Sequence, residues 1–269
     1  MRVINASSTE TSRDASSVRN HRGFVGPIET FDIMSALQFV RLFQAGLRGD
    51  SSLLEIGCGS LRAARILIPF LEPGRYFGLE PDRQLVERGL DQELGRDILT
   101  IKRPTFVHNY DFDLSELKLP SQGVDFAIAQ SIFSHTSLAQ FHMGVQAVGK
   151  ALAPDGMFIA TFVRGPEDYA GSSWVYPGCV RFRDDTVRSI ASQAGLSVRI
   201  TDWAHPNDQT WVLFARSQSR LDATPDDDQF SAAEYVRTIA ELRRRIESAK
   251  RFPPVRFVMW LRDALHRDK

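Results

Sequence analysis

Two glycines and two acids, set at short intervals, are the residues of this chain best suited to holding a ligand. In Ser52-Leu53-Leu54-Glu55-Ile56-Gly57-Cys58-Gly59-Ser60-Leu61-Arg62, an apolar run of strand length breaks at Gly57 and Gly59. Glycines there let the backbone turn sharply and let a ligand approach it closely. Ala63 to Leu71 then carries apolar residues at helical spacing and is stopped by Pro73-Gly74. A second apolar run, Tyr76-Phe77-Gly78-Leu79, ends in Glu80. The whole reads as a β-α-β unit with a glycine turn after its first strand and a carboxylate after its second. A helix N-terminus behind such a turn favours the polar part of a nucleotide-like ligand, and a carboxylate about 20 residues on can accept hydrogen bonds from ribose hydroxyls. A dinucleotide fingerprint asks for a third glycine three positions beyond the second. This chain has Arg62 there, which speaks against a nicotinamide dinucleotide.

What remains, Glu55-Ile56-Gly57-Cys58-Gly59, resembles the first motif of the class I S-adenosylmethionine (SAM)-dependent methyltransferases. The resemblance implies that Glu55, Gly57, Cys58 and Gly59 lie at the cofactor and that Glu80 is the ribose-binding acid. Many members have another glycine where this chain has Leu61, and the Gly-Cys-Gly-Ser-Leu-Arg form is similar to a bacterial branch of the superfamily. Arg62 falls in the first turn of a helix, where its charge opposes the helix dipole. It reads either as the partner of an anion, such as the cofactor's own carboxylate, or as one half of a surface salt bridge.

The next strands extend the pattern. Thr105-Phe106-Val107-His108-Asn109 reads as a third strand, followed by Tyr110-Asp111-Phe112-Asp113. The family often has an acid near the adenine amino group in this loop, and a carboxylate suits N–H donors. Asp113 fits that place best and Asp111 is the fallback; a solvated loop acid is the plain alternative for each. Val124 to Ser131 is a fourth strand, expected beside the first where the strand order reverses, so that Gln130 and Ser131 border the cofactor. Ile132-Phe133-Ser134-His135-Thr136 resembles the Phe-x-His that many members have after this strand. Phe133 would flank the sulfonium, since an aromatic face attracts a cation. His135 would be a base for the acceptor's proton, or the cap of the following helix. Ala153-Pro154-Asp155-Gly156 is a turn before a fifth strand, Met157 to Phe162.

Residues 164–183 form a long irregular insert. Loops at the carboxyl ends of strands carry function more often than framework does, so Trp174 and Tyr176 are expected as acceptor-pocket walls, or simply as packing for the loop. Leu196 to Trp203 and Thr210 to Ala215 read as two strands joined by Ala204-His205-Pro206-Asn207-Asp208-Gln209. That connection is too short for a helical crossover, so the pair is antiparallel. A closing hairpin is what the resembled family has. His205 either reaches the acceptor from this turn or serves the turn itself.

These elements define an α/β fold: a doubly wound, mostly parallel seven-stranded sheet with a C-terminal antiparallel hairpin, plus a C-terminal helical extension. The expected division is a flexible tail over 1–29, a SAM-binding domain over 30–216, and a linker with helices over 217–269. The tail is polar and could serve as a flap over bound substrate. A leading helix from Ile33 to about Leu47, capped by Asp32, would bury Ile33, Leu37, Val40, Phe43 and Leu47. After a polar linker over 217–230, a helix from Ser231 to about Lys250 carries an apolar stripe at coiled-coil spacing, and a second from Val255 to His266 would dock on the domain, on a second copy of the chain, or on a membrane surface.

Composition narrows the partners. The 269 residues carry 33 basic and 33 acidic side chains, so no net field draws nucleic acid. Cys58 and Cys179 form no metal-ligand cluster and read as reduced thiols of a cytoplasmic protein. No run approaches the ~18 apolar residues of a membrane span, and no secretory signal is evident. The absence of an Asn-Pro-Pro-Tyr-type motif after the fourth strand turns the expectation from amino acceptors to a hydroxyl or carboxylate on a small molecule or sugar. The competing classes are a SAM-binding scaffold without catalysis and an NAD-dependent oxidoreductase.

Overall fold

The computed structural model describes residues 21–225. The two helices expected after residue 230, with their possible partners, lie outside the described residues.

Seven strands form one sheet in the order β3-β2-β1-β4-β5-β7-β6. They are β1 (Leu53–Ile56), β2 (Tyr76–Leu79), β3 (Thr105–Val107), β4 (Val124–Ala129), β5 (Leu152–Phe162), β6 (Ser197–Ile200) and β7 (Thr210–Ala215). The apolar runs sit where both faces are covered: every residue of β1 and of β2 is buried. β1 pairs in parallel with β2 on one side and with β4 on the other, which puts the reversal of strand order at β1. β7 runs antiparallel to both β5 and β6, closing the sheet with the expected hairpin. The Ala153-Pro154-Asp155-Gly156 turn falls within β5 as a loop-out, between the pairings Val124↔Leu152 and Phe126↔Met157. Pro154 lacks the N–H that a regular ladder there would use.

The helices are α1 (Phe31–Gln44), α2 (Ala64–Phe70), α3 (Arg83–Gly89), α4 (Ile98–Ile101), α5 (Leu138–Ala151), α6 (Asp184–Gln193) and α7 (Gln218–Asp222). Asp82 caps α3 by accepting from the Gln84 N–H at 2.9 Å. Ser137 and Gln140 form a reciprocal capping box on α5. α5 and α6 cover one face of the sheet, where Phe133, Phe141, Phe158, Phe162, Phe182 and Phe214 join one apolar cluster.

Three expectations about elements are corrected. The tail does not run to residue 29: His21–Val25 and Ile28–Thr30 are 3-10 turns, and His21 is buried against Glu93. α1 starts at Phe31 behind Thr30, and its buried face is Phe31, Met34, Leu37, Arg41 and Leu42, while Phe43 is exposed. Asp32 instead accepts from Arg65 Nη2 at 2.6 Å. The linker after residue 216 begins with a short helix, α7, whose Leu221 is fully buried.

Candidate cofactor-binding site

The site is built where β1 and β2 end side by side. Parallel pairing brings Ile56 beside Leu79, so the turn after β1 and the acid after β2 emerge together. The Gly57 and Cys58 N–H groups both donate to the Leu79 carbonyl, at 2.7 and 3.1 Å, tying the turn to β2. Gly57 and Gly59 have φ of +69° and +54°, a region that suits glycine. Glu80 closes the ring: its Oε2 accepts from the Gly59 N–H at 2.9 Å and its Oε1 from the Asp82 N–H at 3.0 Å. Burial raises the Glu80 pKa, against the pull of those two N–H bonds. A carboxylate is therefore set on the glycine turn, ready to exchange backbone donors for a ligand's hydroxyls.

The turn is also a cradle that side chains fill. A Cβ on Gly57 would collide with the Ile132 side chain, and one on Gly59 with Val25. Neither residue was expected here. Ile132 comes from the loop after β4 and Val25 from the N-terminal 3-10 turn, and no local spacing marks either.

Arg62 is 7% exposed and points inward rather than to a surface salt bridge. It donates from Nη1 to the Val25 carbonyl at 2.5 Å and from Nη2 to Gln130 Oε1. Its Nε is buried with no hydrogen-bond partner. Burial lowers its pKa to about 10, opposed by Glu55, so it stays charged at neutral pH. Gln130 passes the contact on, its Nε2 lying 3.2 Å from His205 Nε2. Ser131, at φ +62°, donates its N–H to Thr161 Oγ1 at 2.8 Å and accepts at Oγ from Gln209 Nε2 at 2.7 Å. Thr161 and Gln209, on and beside the terminal hairpin, are thus supports that sequence reasoning missed.

The same fold appears in known proteins. Residues 54–158 match a family described as a methyltransferase domain. The chain is thus similar to methyltransferase domains in sequence over residues 54–158, and to solved methyltransferases in fold. The chain superposes on magnesium protoporphyrin IX methyltransferase from Synechocystis PCC 6803, solved with bound SAM, at a TM-score of 0.51 and 18% identity over 80% of this chain and 100% of that one. DesVI of Streptomyces venezuelae gives 0.53 at 11% identity, over 78% and 100%. A SAM-dependent methyltransferase from Clostridium acetobutylicum ATCC 824 gives 0.52 at 9%, over 76% and 98%. A comparison with curated protein sequences gives no match.

Other residues expected at the site lie elsewhere. Glu55 is buried beneath the turn, not in the crevice, and accepts from Tyr76 Oη at 2.6 Å. Burial raises its pKa to about 7, opposed by that bond and by Arg62. The Cys58 thiol is likewise packed inward, against Gly78, and burial pushes its pKa up. Phe133 is a core residue: fully buried, it stacks on Phe141 at 4.1 Å, in room left by Gly144. Core side chains enclose its ring. His205 is 8% exposed, 5.4 Å from Trp211, with its pKa lowered to about 3 by burial and then by Arg62 and Arg41. It is a neutral member of the Arg62–Gln130 chain rather than an acceptor contact. Asp111 and Asp113 are exposed on the loop after β3. Asp113 Oδ1 accepts from the Ser115 N–H at 2.9 Å, which lowers its pKa.

His135 does not cap α5, because Ser137 does. The insert holds it instead. The Val175 N–H donates to the His135 carbonyl at 2.8 Å and the Val180 N–H to that of Ser134 at 2.8 Å. His135 Nδ1 lies 2.9 Å from the Val175 carbonyl and 2.8 Å from that of Gly178. Carbonyl oxygens only accept, so Nδ1 carries a proton, and in the neutral ring the lone pair is on Nε2. Trp174 and Tyr176 flank the ring at 5.4 and 5.2 Å and are about half exposed. A separate cavity of about 960 Å³ lies among α5, α6 and the insert, lined by Leu138, Met143, Tyr169, Arg183 and Ile190 among others. None of the glycine-turn residues line it, so geometry, not room, picks out the cofactor site.

Proposed function

We propose that this protein is a SAM-dependent methyltransferase acting on a hydroxyl or carboxylate of a small-molecule acceptor. The observation that carries the reading is Glu80 seated on the Gly59 N–H, a carboxylate joined to a glycine turn at the reversal point of the sheet. The residues present fit the cofactor. Glu80 suits ribose hydroxyls, the Gly57–Gly59 backbone allows close approach at the places where Ile132 and Val25 now pack, and Arg62 offers a buried, incompletely bonded cation for a carboxylate. Asp111 and Asp113 stand after β3, within the loop assigned to the adenine amino group.

Bound SAM supplies an activated methyl group on a sulfonium. The chain's contribution is chiefly to orient an acceptor, since held alignment can supply several kcal/mol of a barrier, up to about 7–11. Trp174 and Tyr176 form the walls of the acceptor pocket beside His135. For a hydroxyl acceptor, His135 Nε2 takes the proton, while Nδ1–H stays fixed by the carbonyls of Val175 and Gly178. A carboxylate acceptor needs no base. The dinucleotide alternative is disfavoured because Arg62 sits where its third glycine belongs and because β6 and β7 close the sheet as an antiparallel pair. The free thiols Cys58 and Cys179 support a reducing, cytoplasmic setting.

Isothermal calorimetry with SAM tests the reading. The wild-type chain should bind, and Glu80→Ala should weaken binding at least about tenfold, the loss of one or two charge-assisted hydrogen bonds. Unchanged affinity would take Glu80 out of the site. A metabolite screen with a labelled methyl donor would then identify the acceptor.

A further inference from the structure

The glycine turn is covered at Gly59 by the protein's own N-terminal segment. Val25 Cγ1 lies where a Cβ on Gly59 would sit, and the Val25 carbonyl accepts from Arg62 Nη1 at 2.5 Å. One residue earlier, the Phe24 carbonyl accepts from Tyr176 Oη at 2.9 Å. The Arg88 guanidinium lies 5.6 Å over the Phe24 ring. Further back, His21 Nε2 is 2.6 Å from Glu93 Oε1, and Arg22 Nε donates to the same carboxylate at 2.7 Å. The segment is therefore anchored at its start and latched at its end, with Val25 on the glycine turn.

We propose that residues 21–26 are a strap that competes internally with the cofactor, with Tyr176 as its latch. This rests on the SAM reading of the crevice. Arg62 decides between a strap that competes and one that merely decorates. It is a buried cation whose two bonded partners, the Val25 carbonyl and the Gln130 amide, are both neutral. Glu55 acts on it through space but makes no hydrogen bond to it, so no charged group pairs with the guanidinium directly. An incoming carboxylate offers Arg62 a charged acceptor, and charge-assisted bonds are roughly twice as strong as neutral ones. The Val25 carbonyl thus stands in for the cofactor's carboxylate and is displaced by it. The latch ties this event to the acceptor side. Tyr176 belongs to the insert whose Val175 and Gly178 carbonyls hold His135, so release of the strap frees its hydroxyl beside the base.

The test uses the full chain, with Tyr176→Phe and Val25→Ala as separate variants. Stopped-flow tryptophan fluorescence reads SAM association and dissociation. Loss of one latch hydrogen bond should raise the association rate roughly fivefold, with dissociation little changed. An unchanged association rate in both variants overturns the proposal, as does a change confined to dissociation. A second arm reads the strap directly, without and with SAM: trypsin cleavage after Arg22, followed by mass spectrometry. Without SAM, Tyr176→Phe should be cut faster than wild type, and equal rates refute the latch. With SAM, wild-type cleavage should accelerate; slower cleavage would show the strap closing over the cofactor rather than competing with it. Wild type that binds no SAM, beside a Tyr176→Phe variant that is cut faster, would remove the cofactor reading and leave the strap and latch standing.

Discussion

Replacing Glu55 by glutamine tests whether the glycine turn is built over a neutral carboxyl group. Glu55 lies buried under the turn with Tyr76 Oη donating to it at 2.6 Å. Burial raises its pKa from 4.5 to about 7, despite the opposing pull of Tyr76 and Arg62. The unfolded chain therefore gives up this proton near pH 4.5, while the folded chain keeps it to about pH 7. Across that window the folded state binds more protons, so stability falls as pH rises. A gap of that width is worth about 3 kcal/mol, at about 1.4 kcal/mol per pH unit. His205 acts in the opposite sense. Its pKa is lowered from 6.5 to about 3, so the folded chain refuses a proton the unfolded chain accepts, and stability falls as pH drops below 6.5. Between pH 4.5 and 6.5 the two slopes oppose and offset each other, so the wild-type profile alone decides nothing. The difference between Glu55→Gln and wild type isolates Glu55, because glutamine keeps a carbonyl oxygen for Tyr76 and carries no titrating group. Urea unfolding followed by tryptophan fluorescence should show the variant gaining about 3 kcal/mol on wild type from pH 4.5 to 7, then a plateau. A stability difference that does not change with pH refutes the reasoning.

Two further outcomes follow from the placement of aromatic and basic groups. His135→Gln should lower turnover on a hydroxyl acceptor by about 10²–10⁴-fold with SAM affinity unchanged, measured by steady-state kinetics and calorimetry; normal turnover would remove His135 as the base. Phe133→Ala should cost about 3–5 kcal/mol in denaturant unfolding and leave the SAM affinity of the folded fraction intact, because Phe133 is a core side chain; a selective loss of SAM affinity at unchanged stability would restore it to the sulfonium.

The parts of this molecule that were legible in its sequence are those fixed by local patterning. Apolar runs buried on both faces gave β1, β2 and β4, and the short Ala204–Gln209 connection required an antiparallel β6–β7 pair. Gly57, Gly59 and Glu80 were legible because a turn and a strand end announce themselves within a few residues. Parity of side chains along a strand was harder. Glu55 belongs to the motif by spacing, yet on β1 it lies opposite Gly78 and points beneath the turn with Tyr76 and Cys58. Phe133 has the spacing of a site aromatic, but the core claims it because Gly144 on α5 leaves a slot for the ring. The contacts of Val25, Ile132, Thr161 and Gln209 join segments dozens of residues apart, and nothing in their own neighbourhoods encodes the meeting. The leading helix illustrates a related limit. Its apolar residues fit more than one face, and tertiary packing chose Met34 and Leu42 over Phe43.

Leu61 shows how a residue other than glycine can hold the turn after Gly59. The backbone there has φ +63°, a left-handed conformation that favours glycine. An L-residue in that region costs roughly 1–2 kcal/mol. The Leu61 side chain is fully buried, packed toward Gly89 at the end of α3, and burying a leucine contributes about 1.5–3 kcal/mol. The two terms are of similar size, so leucine holds the turn as well as glycine does, provided that position 89 stays small. A Cβ at Gly89 would come within 2.5 Å of the Ser60 carbonyl oxygen and 2.7 Å of Leu61 Cγ. The strained leucine and the distant glycine are therefore one adaptation. It keeps the chain turning after Gly59 so that the next residue, Arg62, enters the crevice instead of solvent.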